Sequence, residues 1–147
     1  GMVSERGYSR SRIATTNSGI ASPITNGQNA TVTNVIFEIP FSNAGVQPIS
    51  FSPLFNTTAG SNVTFFLNLS NTGTNDADFT TDAPLWVRYA GTGSGRRSLT
   101  NFAASLFGGA RFVKVSSISN DAPAGAGASA TVITVTNLSF GGHYEAP

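Results

Sequence analysis

The amino-acid sequence predicts an all-β protein, an antiparallel β-sandwich of the jelly-roll or immunoglobulin-like kind with about seven strands. Segments in which apolar and polar residues alternate recur along the chain, and this period of two is typical of half-buried strands. Clusters of Asn, Gly, Ser and Pro separate these segments, as turns require. Charged residues make up 10% of the chain against a usual value of about 25%. Because exposed helix faces are normally covered by Glu, Lys and Arg, this low fraction disfavours a helical protein.

Size and composition restrict the function classes. The 147 residues are enough for one hydrophobic core. A net charge of +1 offers no strong signal for nucleic acid, and no apolar run reaches the ~18–20 residues of a membrane span. The sequence has no cysteine, which excludes disulfides, thiolate metal sites and cysteine nucleophiles.

Residues 1–30 are expected to form an N-terminal arm, either a frayed end or a segment that grips a neighbouring molecule, ahead of a sandwich domain at 31–147. The start lacks the apolar segment of a secretory signal, and Gly1 before Met2 resembles a tag remnant. If Met2 is the native start, we expect a protein made without such a signal. The candidate arm contacts are Arg6, Tyr8, Arg10 and Arg12.

The first strands follow from alternation. Thr31–Phe41 is predicted as a strand that Pro40 places at an edge or at its own end, because proline cannot donate to the ladder. Ile49–Phe55 is expected to be a short extended piece broken by Pro53. Asn62–Ser70 shows the clearest alternation, with one face made of Val63, Phe65, Leu67 and Leu69.

A turn and a further strand come next. Asn71–Asp76 is rich in residues that form turns. An acidic cluster follows at Asn75, Asp76, Asp78 and Asp82, and its oxygen atoms are of the kind that bind calcium. The cluster lacks the Gly and the terminal Glu of a calcium-binding loop, so a solvated turn is favoured and no metal site is predicted. The strand Leu85–Ala90 contains the single tryptophan.

Trp86 and Arg88 share one face of that strand, opposite Leu85, Val87 and Tyr89. If the face is exposed, it is a flat aromatic platform beside a cation, suited to a sugar or a protein partner. The alternative, that Trp86 belongs to the core, is favoured because a lone tryptophan in a sandwich usually packs between the sheets.

The loop Gly91–Arg97 fails both phosphate-binding patterns, because no Lys follows its last Gly and Arg96 stands where a third Gly is needed. A flexible hairpin loop is favoured, although Arg96 and Arg97 remain candidates for binding an anion or a partner. After it, Leu99, Phe102 and Leu106 recur at helical spacing. This spacing predicts a short helix or helical turn near 99–107.

The remaining strands are predicted at Ala110–Ile118 and Ser129–Phe140. His143 is the single histidine, and the few carboxylates are scattered over turns. No catalytic residue and no cofactor is predicted.

The segment Ser61–Thr80 is similar to the strand and turn of immunoglobulin-like β-sandwich repeats in bacterial surface proteins. The arm and the expected helix fit a jelly-roll or sandwich protein of a virus particle better. The low charge, the absence of a signal, the arm and the lack of site chemistry predict a non-enzymatic structural protein, such as a decoration, tail or coat subunit of a phage or virus. We then expect homo-oligomers and contacts with other particle or surface proteins. The expected location is the virion, or the extracellular space or cell surface if the N-terminus was trimmed.

The alternative is a carbohydrate-binding or adhesin module at a cell surface, which would bind glycans through Trp86, Arg88 and Tyr89.

Overall fold

The computed structural model describes residues 12–16, 24–25, 27–32, 35–39, 48–57, 61–73, 75–80, 85–91, 95–107, 110–121 and 132–142. Two 3-10 helices, Asp76–Asp78 and Ala104–Phe107, are the helical elements of this part of the chain. The ten strands are β1 (Arg12–Thr16), β2 (Asn29–Thr31), β3 (Ile36–Glu38), β4 (Ile49–Thr57), β5 (Ser61–Ser70), β6 (Leu85–Gly91), β7 (Arg96–Arg97), β8 (Thr100–Phe102), β9 (Phe112–Asn120) and β10 (Ile133–Gly142).

The strands form two antiparallel sheets. One has the order β1-β10-β4-β7, with β8 also on β4, and the other has the order β2-β9-β5-β6, with β3 also on β9. Because β2 and β3 lie along the same strand, and β7 and β8 likewise, each pair acts as one interrupted strand. The chain therefore crosses repeatedly between two packed sheets in the order of a jelly roll. The predicted antiparallel sandwich is confirmed, and its strand order is that of the jelly-roll alternative.

The core lies between the sheets, and seven of its 21 buried residues among those described are phenylalanines. Phe51, Phe55 and Phe65 are each 0% exposed. The Phe65 ring centroid lies 5.4 Å from that of Phe51 and 6.0 Å from that of Phe55. Phe140 of β10 adds a further ring 4.9 Å from Phe51. Burying each such side chain stabilises the fold by roughly 1.5–3 kcal/mol, so these rings hold the two sheets together.

Strand β4 corrects the expectation that Pro53 breaks the chain there. The strand runs unbroken from Ile49 to Thr57, and Pro53 pairs with Leu138 of β10. On its other side β4 pairs with β7 as far as Leu54 and resumes with β8 at Phe51. Pro53 therefore lies opposite the gap between β7 and β8, where a missing N–H breaks no ladder bond.

The segment 99–107 is partly strand. Thr100–Phe102 pairs with β4 as β8, and the predicted helical turn is the four-residue 3-10 helix Ala104–Phe107. Phe102 and Phe107 are buried with their rings 5.9 Å apart, whereas Leu99 and Leu106 are 60% and 49% exposed. The helical spacing thus misassigned the buried face, because Phe107 rather than Leu106 fills the core.

Parts of the expected arm lie in the sandwich. Strand β1 pairs with β10 along its whole length, and Ile24 is buried in a bridge to Ile133. Asn120, which is 1% exposed, donates its side-chain N–H to the Ile24 carbonyl at 2.9 Å. The amide of Gly27 in turn donates to the Asn120 carbonyl at 3.1 Å. Described residues between 12 and 30 therefore contact the sandwich, while the division of the chain at residue 30 and the partner-gripping role of the arm stay predictions.

Candidate functional site

The outer face of the β2-β9-β5-β6 sheet presents two rows of side chains that run across the strands. The rows follow from the register, in which β5 pairs with β6 on one side and with β9 on the other. Side chains at these positions point away from the core because Phe65 and Leu67, their neighbours along β5, point into it. One row is Trp86, Phe66 and Ser117, and the next is Arg88, Thr64 and Ser119.

Trp86 is on the surface, with 56% of its area exposed. The favoured interpretation, a core tryptophan, is therefore wrong. Strand β6 lies at the end of its sheet, and its inward positions are taken by Leu85, Val87 and Tyr89, which pack against the core. Alternation then turns Trp86 outward beside Phe66, which is partly exposed. The two rings form an aromatic strip on the outer face.

Arg88 is held in place by three contacts. Its guanidinium carbon lies 5.4 Å from the Trp86 ring centroid, in a cation–π arrangement. The Arg88 Nε donates to Thr64 Oγ1 at 2.9 Å and lies 3.2 Å from Asp121 Oδ2. Thr64 donates its hydroxyl proton to the same carboxylate oxygen at 2.6 Å. Thr64 is 1% exposed although it faces outward, so the guanidinium is fixed over a buried hydroxyl rather than free in solvent.

The polar rim continues beyond Arg88. Ser119 donates to the second carboxylate oxygen of Asp121 at 2.8 Å, and the Asp121 amide donates to the Asn62 carbonyl at 3.0 Å. The site is therefore a flat aromatic strip with a fixed cation, a carboxylate and hydroxyl groups along one side. Such a surface can stack on an apolar face and hydrogen-bond at its rim, which suits either a sugar ring or another protein.

Tyr89 lies on the opposite side of β6 from Trp86 and does not belong to this surface. Its ring centroid is 5.9 Å from that of Phe65 and 6.2 Å from that of Phe55. Its hydroxyl lies 2.8 Å from Thr100 Oγ1. Burial raises the pKa of the Tyr89 phenol from its ordinary value of 10.0, and the hydrogen bond with Thr100 lowers it by less. Tyr89 therefore joins the two sheets rather than serving as the glycan contact expected for it.

The turn after β5 covers the other end of this outer face. Phe79 is buried there, and Lys114 of β9 lies 5.1 Å above its ring. Lys114 Nζ is 3.3 Å from Asp76 Oδ1, so one acidic side chain neutralises a largely buried lysine. Asp82 lies outside the described residues. Across the described ranges, no group of three or more His, Asp or Glu could hold a metal ion.

Arg96 and Arg97 lie on the other sheet, away from Trp86 and Arg88. Both are exposed, and both pair with β4. Arg97 donates from Nη1 to the Ser52 carbonyl and to Asn137 Oδ1, each at 3.0 Å. The candidate binding residues therefore lie on two separate surfaces, Trp86 and Arg88 on one sheet and Arg96 and Arg97 on the other.

The remaining candidates fall largely outside the described residues. Arg6, Tyr8 and Arg10 lie there, as does His143. Arg12 begins β1, opposite Gly142 of β10. No helix in the described part of the chain is both long enough and apolar enough to cross a membrane.

Sequence reasoning missed Phe66, Thr64 and Asp121 as parts of the site. Phe66 was detectable, because it is the one large apolar residue on the polar face of the alternating β5 segment. Asp121 was not, because it is 57 residues away from Thr64 and the sequence does not reveal the pairing of β5 with β9.

Comparisons with known proteins support the fold. No protein-family model and no curated protein sequence matches the chain. A chain of the structure of infectious bursal disease virus, Gt strain, matches 92% of this chain with TM-score 0.50 and 16% identity. This chain spans only 33% of the length of that viral chain.

Two further structures match less well. A chain of the same virus, Gx strain, has TM-score 0.41 and 14% identity over 94% of this chain and 37% of its own. A chain from disulfide-linked pili of Bacillus endospore appendages has TM-score 0.28 and 15% identity over 95% of this chain and 93% of its own. The expected resemblance to β-sandwich proteins of viruses is thus confirmed at the level of the fold, which rests on the Gt-strain match.

Proposed function

We propose that this chain is a non-enzymatic structural subunit that works by associating with copies of itself, as a decoration, tail or coat component of a phage or virus particle. The observation that carries the proposal is the nature of the surface. A well-packed sandwich leaves Trp86, Leu99 and Leu106 between 49% and 60% exposed in a chain with only 10% charged residues. Exposed apolar side chains on a weakly charged surface favour contact with another protein.

The fold likeness to a virus chain supports the particle setting, and the arm gives a second means of contact. Within the proposal, residues 1–11, which precede β1, reach a neighbouring subunit through Arg6, Tyr8 and Arg10, while the sandwich supplies the body. The proposal includes a location in the virion. Fold likeness does not decide function, so the proposal depends on a direct test of association.

Multi-angle light scattering of the full chain over a range of concentrations tests the proposal. We expect a mass above that of the 15.2 kDa monomer at high concentration. A variant without residues 1–11 keeps every described residue and should associate less. A monomer at all concentrations, unchanged by the deletion, would contradict the proposal.

The exposure of Trp86 favours a second candidate, a glycan-binding module at a cell surface. The strip of Trp86 and Phe66 would stack on a sugar ring while Arg88 and Ser119 bond its hydroxyls. Screening a glycan array with wild type and Trp86→Ala separates the candidates. Binding by wild type alone supports the module, and absence of binding by both proteins counts against it.

A further inference from the structure

We propose that the free edge of β6 is the place where a second copy of this chain adds to the sheet, in an antiparallel register centred on Val87. This inference rests on the proposed self-association and names the surface responsible. Among the described residues, β6 pairs with β5 alone, so alternate backbone N–H and C=O groups point away from the sheet. A row of such groups is a template for another strand.

Strand β6 differs from the other described edges in length and regularity. It has seven residues, against two for β7, three each for β2, β3 and β8, and five for β1. It pairs with β5 from Leu67↔Leu85 to Ser61↔Gly91 without a register shift. Natural edge strands are usually protected by proline, a bulge or an unpaired charge. Strand β6 has no proline, and its one charge, Arg88, is paired with Asp121.

The side chains of β6 select one register for pairing with a copy. A two-fold axis normal to the sheet keeps the same face of both strands outward. Because directly paired residues share a face, one residue of β6 must then pair with its own copy across the axis, and this residue is the centre of the register. Centred on Arg88, the pairing would set two guanidinium groups against each other. Centred on Val87, it sets Trp86 of each copy directly opposite Arg88 of the other, and Leu85 opposite Tyr89.

The Val87 register therefore repeats across the interface the cation–π contact that each chain already makes within itself. On the inner side, Leu85 and Tyr89 extend the core of each sandwich across the junction. In this register only the five residues Leu85–Tyr89 pair, a length of about 17 Å, so the contact is small and we expect weak association. In an assembly of many copies, several such weak contacts act together and raise the overall affinity.

A single cysteine tests the register directly, because the natural chain contains none. In the Val87→Cys variant the two cysteines face each other at the axis, with Cα atoms about 4.5–5.5 Å apart, within disulfide range. We expect a covalent dimer on mild oxidation at concentrations where wild type associates. The matched control is Thr136→Cys, at an exposed position of the central strand β10.

Two charge variants of Trp86 provide a second readout that does not disturb the core. Trp86→Glu places a carboxylate opposite the Arg88 of the copy and should keep association within about threefold, whereas Trp86→Arg places like charges there and should weaken it at least tenfold. Sedimentation measures both. Cross-linking of Val87→Cys no faster than Thr136→Cys, or association of Trp86→Arg equal to that of wild type, overturns the edge proposal. Wild type that stays monomeric refutes the proposed function itself.

Discussion

Neighbouring residues on β6 have opposite environments, and this contrast sets their energetic roles. Trp86 has more than half of its surface in solvent, whereas Tyr89 is packed between Phe55 and Phe65. The large aromatic residues therefore divide into a set that stabilises the fold and a set available for contacts.

Replacing Trp86 with alanine should change the free energy of unfolding by no more than about 1 kcal/mol, since only exposed packing and a surface cation–π contact are lost. Phe65→Ala should cost about 3–5 kcal/mol, because Phe65 is fully buried. Urea titration of both variants measures the difference. Equal losses would show that Trp86 supports the core after all.

The phenol of Tyr89 should make stability depend on alkaline pH. Its folded-state pKa is raised by burial, so the neutral phenol is favoured in the folded protein. The stabilisation that comes from this raised pKa is fully present below pH 10.0, the ordinary pKa of the phenol. It is lost as the pH rises through the higher pKa of the folded state. In Tyr89→Phe the unfolding free energy should fall less steeply above pH 10. Identical pH profiles for the two proteins would contradict the assignment.

Gly73 should tolerate no side chain. A Cβ at Gly73 would overlap the Oδ2, Cγ and Cβ atoms of Asp78. Because the overlap includes the Cβ of Asp78, rotating that side chain does not relieve it, and the turn that carries Phe79 must shift. Gly73→Ala should cost about 1–3 kcal/mol, as overpacking usually does. Thr72→Ala, at an exposed position of the same turn, is the control and should change stability little. Thermal unfolding of the two variants compares them, and a stable Gly73→Ala protein would refute this packing.

At the level of elements, the sequence predicted strands well where one face is buried. Asn62–Ser70 alternates because β5 lies between the core and the outer face, and it was assigned nearly to its observed bounds. Pro53 misled because proline usually ends a strand, and here it lies opposite a break in the partner strand. The segment 99–107 misled because a strand followed by a helical turn placed apolar residues at helical spacing by coincidence.

The outward orientation of Trp86 was not predictable from β6 alone. Both faces of that strand carry large side chains, and only its position at the end of the sheet decides which face is buried. Sheet order depends on pairings between residues far apart in sequence, such as β1 with β10, which local patterns do not encode.

The buried side-chain amide of Asn120 adds to the backbone bonds that hold Ile24 on the sandwich. Asn120→Ala removes one of the two hydrogen bonds to the Ile24 carbonyl, which keeps the Ile133 amide as a donor, so it should cost about 0.5–1.5 kcal/mol. Amides of Ile24 and Gly27 should then exchange with solvent faster in hydrogen exchange. Asn101→Ala, at an exposed position of β8, is the control. Unchanged exchange rates at both amides would show that Asn120 adds nothing to this attachment.

For the whole molecule, the two sheets bury most large apolar side chains of the described residues but leave Trp86, Leu99 and Leu106 exposed, in a chain with only 10% charged residues. A net charge of +1 gives little repulsion between copies, so the proposed association would depend on the few exposed apolar and charged side chains. In the proposed dimer, the backbone of the β6 edge supplies the template, and Trp86 and Arg88 set the register.

Sedimentation velocity of the full wild-type chain over a hundredfold range of concentration tests the central claim, self-association, most directly. We expect the weight-average sedimentation coefficient to rise with concentration and to move toward that of a dimer or larger species. A single boundary at the monomer value over the whole range would contradict the account.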